Sequence, residues 1–408
     1  MSIQPIPVRH RWLARIAAAL GIVLVAILAF AGGAVTGALK LRHLVQQFNA
    51  DTDRIVAPDG IDTAQYIELG GVRQWITIRG QNRRNPVLLF LHGGPGGALA
   101  DIAYQFARPW EDYFVVVQWD QRGYGRSNID SAKIEGTTTK ERYIADGIEL
   151  ADYLRKHLDQ PKVVLVGQSW GTLLGAEIAH RRPDLLYAFV AFGQITGWES
   201  SYEEIRQLLL DLGRRSGDPA LVKRMQDAGP VPVGPKPGPF FATMDSVWDE
   251  MNRRGYSWHS VLGSSSPLDE IFLTASIESP TVSDRRMIDL MLGGKGNDYY
   301  TTLHPTLSGW SLERDVGTRF AVPYILVMGS YDWQTPVNLA KTFYAKVCAP
   351  YKAYVQLPNA AHAAVIEQPG LSVVALVEKA LPAVSGTIPV GAETCAEGPE
   401  NGSEKRSR

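Results

Sequence analysis

Lys162-Val163-Val164-Leu165-Val166 followed by Gly167-Gln168-Ser169-Trp170-Gly171 decides the fold of this chain. The first five residues read as a short apolar strand, and Thr172 to Arg182 reads as a helix. A G-x-S-x-G pentapeptide between strand and helix is the sequence form of a nucleophile elbow, a sharp turn that exposes a serine hydroxyl above a sheet. Both glycines are required on steric grounds, because the turn brings backbone segments together while the serine sits in a strained conformation. The pattern alone is weak in a chain with 39 glycines, so its flanks carry the reading.

Working outward, Pro86 to Leu91 reads as a buried strand that runs into His92-Gly93-Gly94-Pro95-Gly96-Gly97. A glycine-rich turn after a strand can aim backbone N–H groups into a cavity, as an oxyanion hole requires. Further on, Val322 to Met328 is another apolar strand, and Gly329-Ser330-Tyr331 leads to Asp332. Lys352 to Leu357 alternates as a strand, with His362 on the loop that follows. The chain order Ser169, Asp332, His362 is that of α/β-hydrolases and differs from the orders of the chymotrypsin and subtilisin folds.

Chemistry assigns a role to each. A serine hydroxyl attacks only when a neighbouring base takes its proton, and imidazole titrates near neutrality. Asp332 would fix the tautomer of His362 and stabilise the imidazolium. The N–H groups of Gly94 and Trp170 are the candidate oxyanion donors, each typically worth about 3–4 kcal/mol of barrier. The remaining histidines fit less well: His157 and His180 lie in charged helical stretches, and His92 belongs to the glycine turn.

Three strings together carry a resemblance. His92-Gly93-Gly94-Pro95-Gly96, the run Trp119-Asp120-Gln121-Arg122-Gly123-Tyr124-Gly125-Arg126-Ser127, and Gly167 to Gly171 with a tryptophan after the serine resemble the prolyl iminopeptidase branch of the α/β-hydrolases. The resemblance covers roughly residues 60–195 and 320–382. It implies an α/β fold with a mostly parallel, eight-stranded-type sheet flanked by helices, and an inserted helical cap. It also implies release of an N-terminal residue, often proline, from short peptides, with cap glutamates holding the free amine. Asp120 and Arg122 follow the strand Tyr113 to Trp119, where an acid–base pair could brace the oxyanion loop or serve only as a structural ion pair.

The expected organisation is a core of residues 63–193 and 320–382 with a cap over 194–319. Helix-like runs in the cap are Tyr202 to Arg215, Asp218 to Asp227 and Ala242 to Arg254, with Gly229 to Pro239 read as an irregular lid loop. Glu199, Glu203, Glu204 and Glu278 are the leading candidates for binding an ammonium group, with Glu250 and Glu313 also available. Charges on helices are more often solvated faces.

Ile16 to Leu39 holds 24 residues without a charge, enough to span a bilayer as a helix. Arg9, Arg11 and Arg15 precede it while Lys40 and Arg42 follow, which favours a cytoplasmic N-terminus (residues 1–15) and an exported catalytic domain. A cleaved signal peptide is the rival, since Ala29-Phe30-Ala31 resembles a cleavage site. Residues 40–62 read as a polar linker, the residues around Gly70-Gly71 as a hairpin, and residues 383–408 as a disordered tail.

A net charge of −1 with 20% charged residues gives no sign of nucleic-acid binding. Nothing calls for a cofactor, and no histidine–carboxylate cluster has metal spacing. Cys348 and Cys395 are the two cysteines, and an exported domain could join them. Serine at the elbow argues against epoxide hydrolase or dehalogenase chemistry, where an aspartate attacks. A carboxylesterase on small esters is the alternative enzyme, and an idle binding protein on the same fold is the alternative of another class.

Overall fold

The computed structural model describes residues 32–254, 277–291 and 300–387. Eight strands form one sheet in the order β1-β2-β4-β3-β5-β6-β7-β8. β1 (Ile61–Leu69) and β2 (Val72–Gly80) make the expected hairpin, and β2 also runs antiparallel to β4 (Val115–Asp120). β3 (Val87–Leu91), β5 (Val163–Gln168), β6 (Leu186–Phe192), β7 (Tyr324–Gly329) and β8 (Lys352–Leu357) continue the sheet in parallel from β4. Every residue of β3, β4, β5 and β7 is buried, whereas β2 alternates. Continuous apolar strands of this kind need helices on both faces, which is why the pattern selects an α/β layering.

The chain order sets where a site can form. After β3 the chain steps one way to β4, then returns to the other side of β3 for β5. Ligands in open α/β sheets bind beyond the carboxyl ends of strands at such a reversal. β3 ends at Leu91 and β5 at Gln168, so the glycine turn and the elbow that follow them meet there.

Helix α1 comprises residues 32–52, so the stretch read as a linker is helical for most of its length. Its polar side chains bond to cap residues, which gives the helix a tertiary reason to persist past Lys40. α2 (Lys140–His157) and α3 (Trp170–Arg181) belong to the core. The cap holds α4 (Trp198–Ser216), α5 (Pro219–Ala228) and α6 (Pro237–Arg253), then α7 (Asp284–Met291) and α8 (Tyr300–Leu307). α4 stops at Gly217 in the left-handed region, and Asp218 caps α5 by accepting from the Leu221 N–H at 2.9 Å. The lid loop is shorter than its composition predicts, since Pro237 starts α6; proline suits the first turn, where no intrahelical donor is needed.

The cap joins the core through a neck. Gly197 bridges Ser311, the Trp198 N–H donates to Trp310 O, and Leu312 N–H donates to Thr196 O. Beneath it, Glu177 of α3 accepts from Trp310 Nε1 and Lys140 Nζ, both at 3.0 Å. Past the sheet, α9 (Val337–Lys346) and α10 (Pro369–Ala375) complete the core, and helix continues to Ser385 where a tail was expected. Cys348 is disulfide-bonded; the chain's other cysteine, Cys395, lies outside the described residues.

Candidate active site

Ser169 caps the start of α3 with φ +53°, a conformation that few non-glycine residues adopt. The turn is closed by Thr172, whose N–H and hydroxyl both donate to Ser169 O, at 2.7 and 2.6 Å. A Cβ at Gly167 would lie 2.4 Å from Gly171 O, and one at Gly171 would lie 2.0 Å from Leu91 O. Both glycines are therefore obligatory, and Gly171 lets α3 approach the end of β3. The N-terminus of a twelve-residue helix also places its positive dipole end at the serine.

Two loops bring the other residues to the same place. Ser330 N–H donates to Leu357 O and Tyr331 N–H to Ala360 O, stitching the loop after β7 to the loop after β8. His362 Nδ1 lies 3.1 and 3.0 Å from the two carboxylate oxygens of Asp332. Thr335 also holds that carboxylate, through its N–H to Oδ1 at 2.8 Å and its hydroxyl to Oδ2 at 2.7 Å. Glu367 accepts from Ala361 N–H and Ala363 N–H, at 2.8 and 2.9 Å, and so clasps the backbone on both sides of His362. Burial raises the Glu367 pKa, and these two bonds oppose that rise. With Nδ1 turned to Asp332, the imidazole offers Nε2 as its basic nitrogen.

Ser169, His362, Gly93 and Gly94 line one cavity of about 190 Å³. Its remaining walls are largely apolar: Leu99, Val365 and Ile366 from the core, and Tyr202 of α4 and Trp248 of α6 from the cap. Gln168 and Gln334 add polar groups. No aspartate or glutamate is among the described residues that line it.

Gln121 connects the two oxyanion segments. Its N–H donates to His92 Nε2 and its side-chain amide donates to His92 O, both at 3.2 Å, while its carbonyl accepts from Trp170 Nε1 at 2.9 Å. His92 is fully buried, and burial lowers its pKa to about 4, so the ring is a neutral brace. The expected Asp120–Arg122 pair does not form. Arg122 is buried against Asp146 of α2 through two bonds of 2.8 and 3.0 Å, and donates also to Leu69 O and Gly70 O. Asp120 turns the other way and accepts from Arg126 N–H at 2.7 Å. The pair does not form because each side chain has another partner, the carboxylate of Asp146 for Arg122 and the Arg126 N–H for Asp120.

The glutamates read as amine ligands are placed elsewhere. Glu199 accepts from Ser308 Oγ and Gly309 N–H, closing the cap onto itself. Glu203 pairs with Arg206, Gln207 and Val231 N–H; burial opposes them, yet they hold its pKa down to about 2. Glu204 accepts from Asn338, and Glu278 lies in the segment that α1 contacts. Glu250 is held by Arg224, Arg253 and Arg254, and Glu313 by Lys346. Sequence reading missed Gln121, Asp146, Thr335 and Glu367. Gln121 stood unremarked within the Trp119 to Ser127 string, and Asp146 left a trace as an acid on the apolar face of a helix.

The chain is similar to several known proteins. A family model described as alpha/beta hydrolase fold matches residues 86–224. A Bacillus subtilis protein named probable aminopeptidase YbaC is 27% identical over 75% of this chain and 92% of its own. This chain is similar to the prolyl iminopeptidase-like α/β-hydrolases. It is a hydrolase. The proline iminopeptidase of Saccharolobus solfataricus is 25% identical over 71% of this chain and 82% of its own. Among solved structures, a proline iminopeptidase of Mycobacterium smegmatis shares the fold with a TM-score of 0.51 and 17% identity, over 79% of this chain and 99% of that one.

Proposed function

We propose that this chain is a membrane-anchored serine hydrolase that releases the N-terminal residue from short peptides through an acyl-enzyme on Ser169. The observation that carries this reading is a strained elbow serine sharing one cavity with an imidazole held by both oxygens of Asp332. In this reading His362 takes the Ser169 proton as the hydroxyl attacks the scissile carbonyl, and returns it to the leaving amine. Negative charge gathers on the carbonyl oxygen at the start of α3, where the N–H groups of Trp170 and Gly94 receive it. Water then attacks the ester, again through His362, and frees the serine. The peptide preference rests on the relatives named aminopeptidase and proline iminopeptidase.

One observation favours a second reading. A free amine needs a carboxylate, and none is among the described lining residues. A small ester would suit the apolar walls as they stand. The membrane anchor, with the catalytic domain outside the cytoplasm, rests on the sequence of the uncharged run Ile16 to Leu39: its residues 16–31 lie outside the described residues, its residues 32–39 belong to α1, and no described helix is long and apolar enough to cross a membrane.

The deciding experiment offers the purified enzyme a prolyl arylamide with a free amine, its N-acetylated twin and a short-chain nitrophenyl ester. Cleavage of the free-amine arylamide but not its blocked twin is the expected result. Cleavage of the ester alone would replace the peptidase reading with an esterase.

A further inference from the structure

Helix α1 has two unlike faces. Arg42, Gln46 and Asn49 recur at helical spacing and all bond to one cap segment. Arg42 pairs with Asp284 and donates to Val282 O; Gln46 donates to Ser279 O and Val282 O; Asn49 donates to Glu278 O at 2.9 Å. His43 adds a contact to Asp284 at 3.0 Å. The opposite face carries Leu41, Leu44 and Phe48, which are 63%, 64% and 68% exposed. Their i, i+3, i+7 spacing makes one continuous apolar stripe. Among the described residues nothing packs over it as core.

We propose that this stripe lies in the interfacial layer of a lipid bilayer, so that α1 is a strut with lipid on one face and the cap on the other. The proposal rests on the membrane reading above and deepens it. Lipid is favoured over other occupants by continuity: Leu41 stands two residues after the uncharged run ends at Leu39. The geometry then makes a demand. A helix crossing at right angles would carry Phe48 about 14 Å past Leu39, at 1.5 Å per residue. A headgroup layer is only roughly 7 Å thick on each side, so an upright helix would leave Phe48 in water. The helix must lean, with the stripe downward. A 24-residue span, about 36 Å long if helical, exceeds the roughly 30 Å hydrocarbon thickness and accommodates a lean.

The lean would set the attitude of the enzyme. The gripped segment reaches the core through Thr281, whose hydroxyl donates to Asp101 at 3.2 Å and whose carbonyl accepts from Arg126. Asp101 is two residues from Leu99 in the cavity wall. This side of the cap would therefore be held against the bilayer, rather than swinging on a free tether.

The test uses the full chain in phosphatidylcholine–phosphatidylglycerol vesicles. Leu44→Cys and Phe48→Cys are labelled with an environment-sensitive nitrobenzoxadiazole dye, with Gln47→Cys as the reference on the flank. Lipid-borne spin labels are expected to quench positions 44 and 48 several-fold more than position 47, with aqueous iodide showing the reverse. Equal iodide quenching at all three positions overturns the proposal. So does protection that vanishes on dilution together with Leu44→Cys cross-linking between copies, which would assign the stripe to a dimer. Flotation of the unlabelled chain with the vesicles separates the two levels. A chain that fails to float sinks the membrane reading itself, whereas a chain that floats with a wet stripe sinks only the strut.

Discussion

In the core, the acids near the cavity serve other groups of the site: Asp332 holds His362, and Glu367 holds the amides on either side of it. In the cap, Glu199, Glu203 and Glu250 serve the cap itself, binding its own arginines, serine and backbone. Among the described residues, the cap gives the cavity only the aromatic side chains of Tyr202 and Trp248. In the proposed reading the core supplies the reaction and the cap supplies a shape. Substitutions in the two regions should fail in different ways, and that contrast can be tested.

The sharpest test is Ser169→Ala, which should reduce turnover by about five to six orders of magnitude while the melting temperature stays within the error of the parent. Retained activity in a clean preparation would remove the nucleophile from the core. Asp332→Asn should lower kcat by about four orders of magnitude with little change in KM, because the carboxylate orients the base and does not bind the ground state. A rise in KM with unchanged kcat would mean that Asp332 contacts substrate instead.

Gln121→Leu removes both side-chain bonds that join His92 to Trp170. A displacement of about 1 Å in a catalytic group costs on the order of 100-fold, so a fall in kcat of about 10- to 100-fold is expected. KM and the rate of Ser169 labelling by a fluorophosphonate probe help to locate the defect. Unchanged kcat would show that the glycine turn and the elbow hold position without the bridge. In the cap, Trp248→Ala should change KM by about 10-fold and re-rank substrates by size, leaving kcat for the smallest ester nearly intact. An equal loss for every substrate would break the division between reaction and shape.

What could be read from the sequence divides along the same line. The elbow, the glycine turn and the loops bearing Asp332 and His362 follow apolar strands, and a strand end fixes where the next residue goes. Buried strands are short uninterrupted apolar runs, so their ends are easy to place, and the strand expected over Pro86 to Leu91 is observed as Val87–Leu91. The cap offers no such anchor. Its helices were legible from their periodicity, but Tyr202 and Trp248 look like any aromatic on an apolar helix face. A glutamate that binds a ligand and one that caps a loop are the same letter, and Glu199 holds the Ser308–Gly309 turn. Arg122 teaches a related lesson: adjacency to Asp120 suggested a pair, while the fold brought Asp146 from 24 residues away. Glu367 and Thr335 act on backbone or on another side chain at close range, and sequence periodicity does not encode such contacts.

Asp120 gives the smallest expected effect and separates scaffold from site within the core. It is buried, its Oδ1 has no hydrogen-bond partner, and burial, helped by the charge of Asp101, raises its pKa to about 7. Between about pH 4 and 7 the folded protein keeps a proton there that the unfolded chain has lost, so this group makes stability fall as pH rises through that window. Glu111, also raised to about 7 by burial, acts with the same sign. His92, lowered to about 4, acts oppositely, because the unfolded chain takes up a proton below about pH 6.5 that the folded ring refuses. Asp120→Asn removes only the first contribution. Relative to the parent, it should gain on the order of 2 kcal/mol more at about pH 8 than at about pH 5, read from denaturant melts at both values. Parallel pH dependences in variant and parent would show that Asp120 titrates normally. Activity is the second readout, since Asp120 does not line the cavity. A 100-fold loss of kcat in a stable variant would move this carboxylate from the frame of the oxyanion loop into the catalytic machinery, and the core would then hold more of the chemistry than its strand ends display.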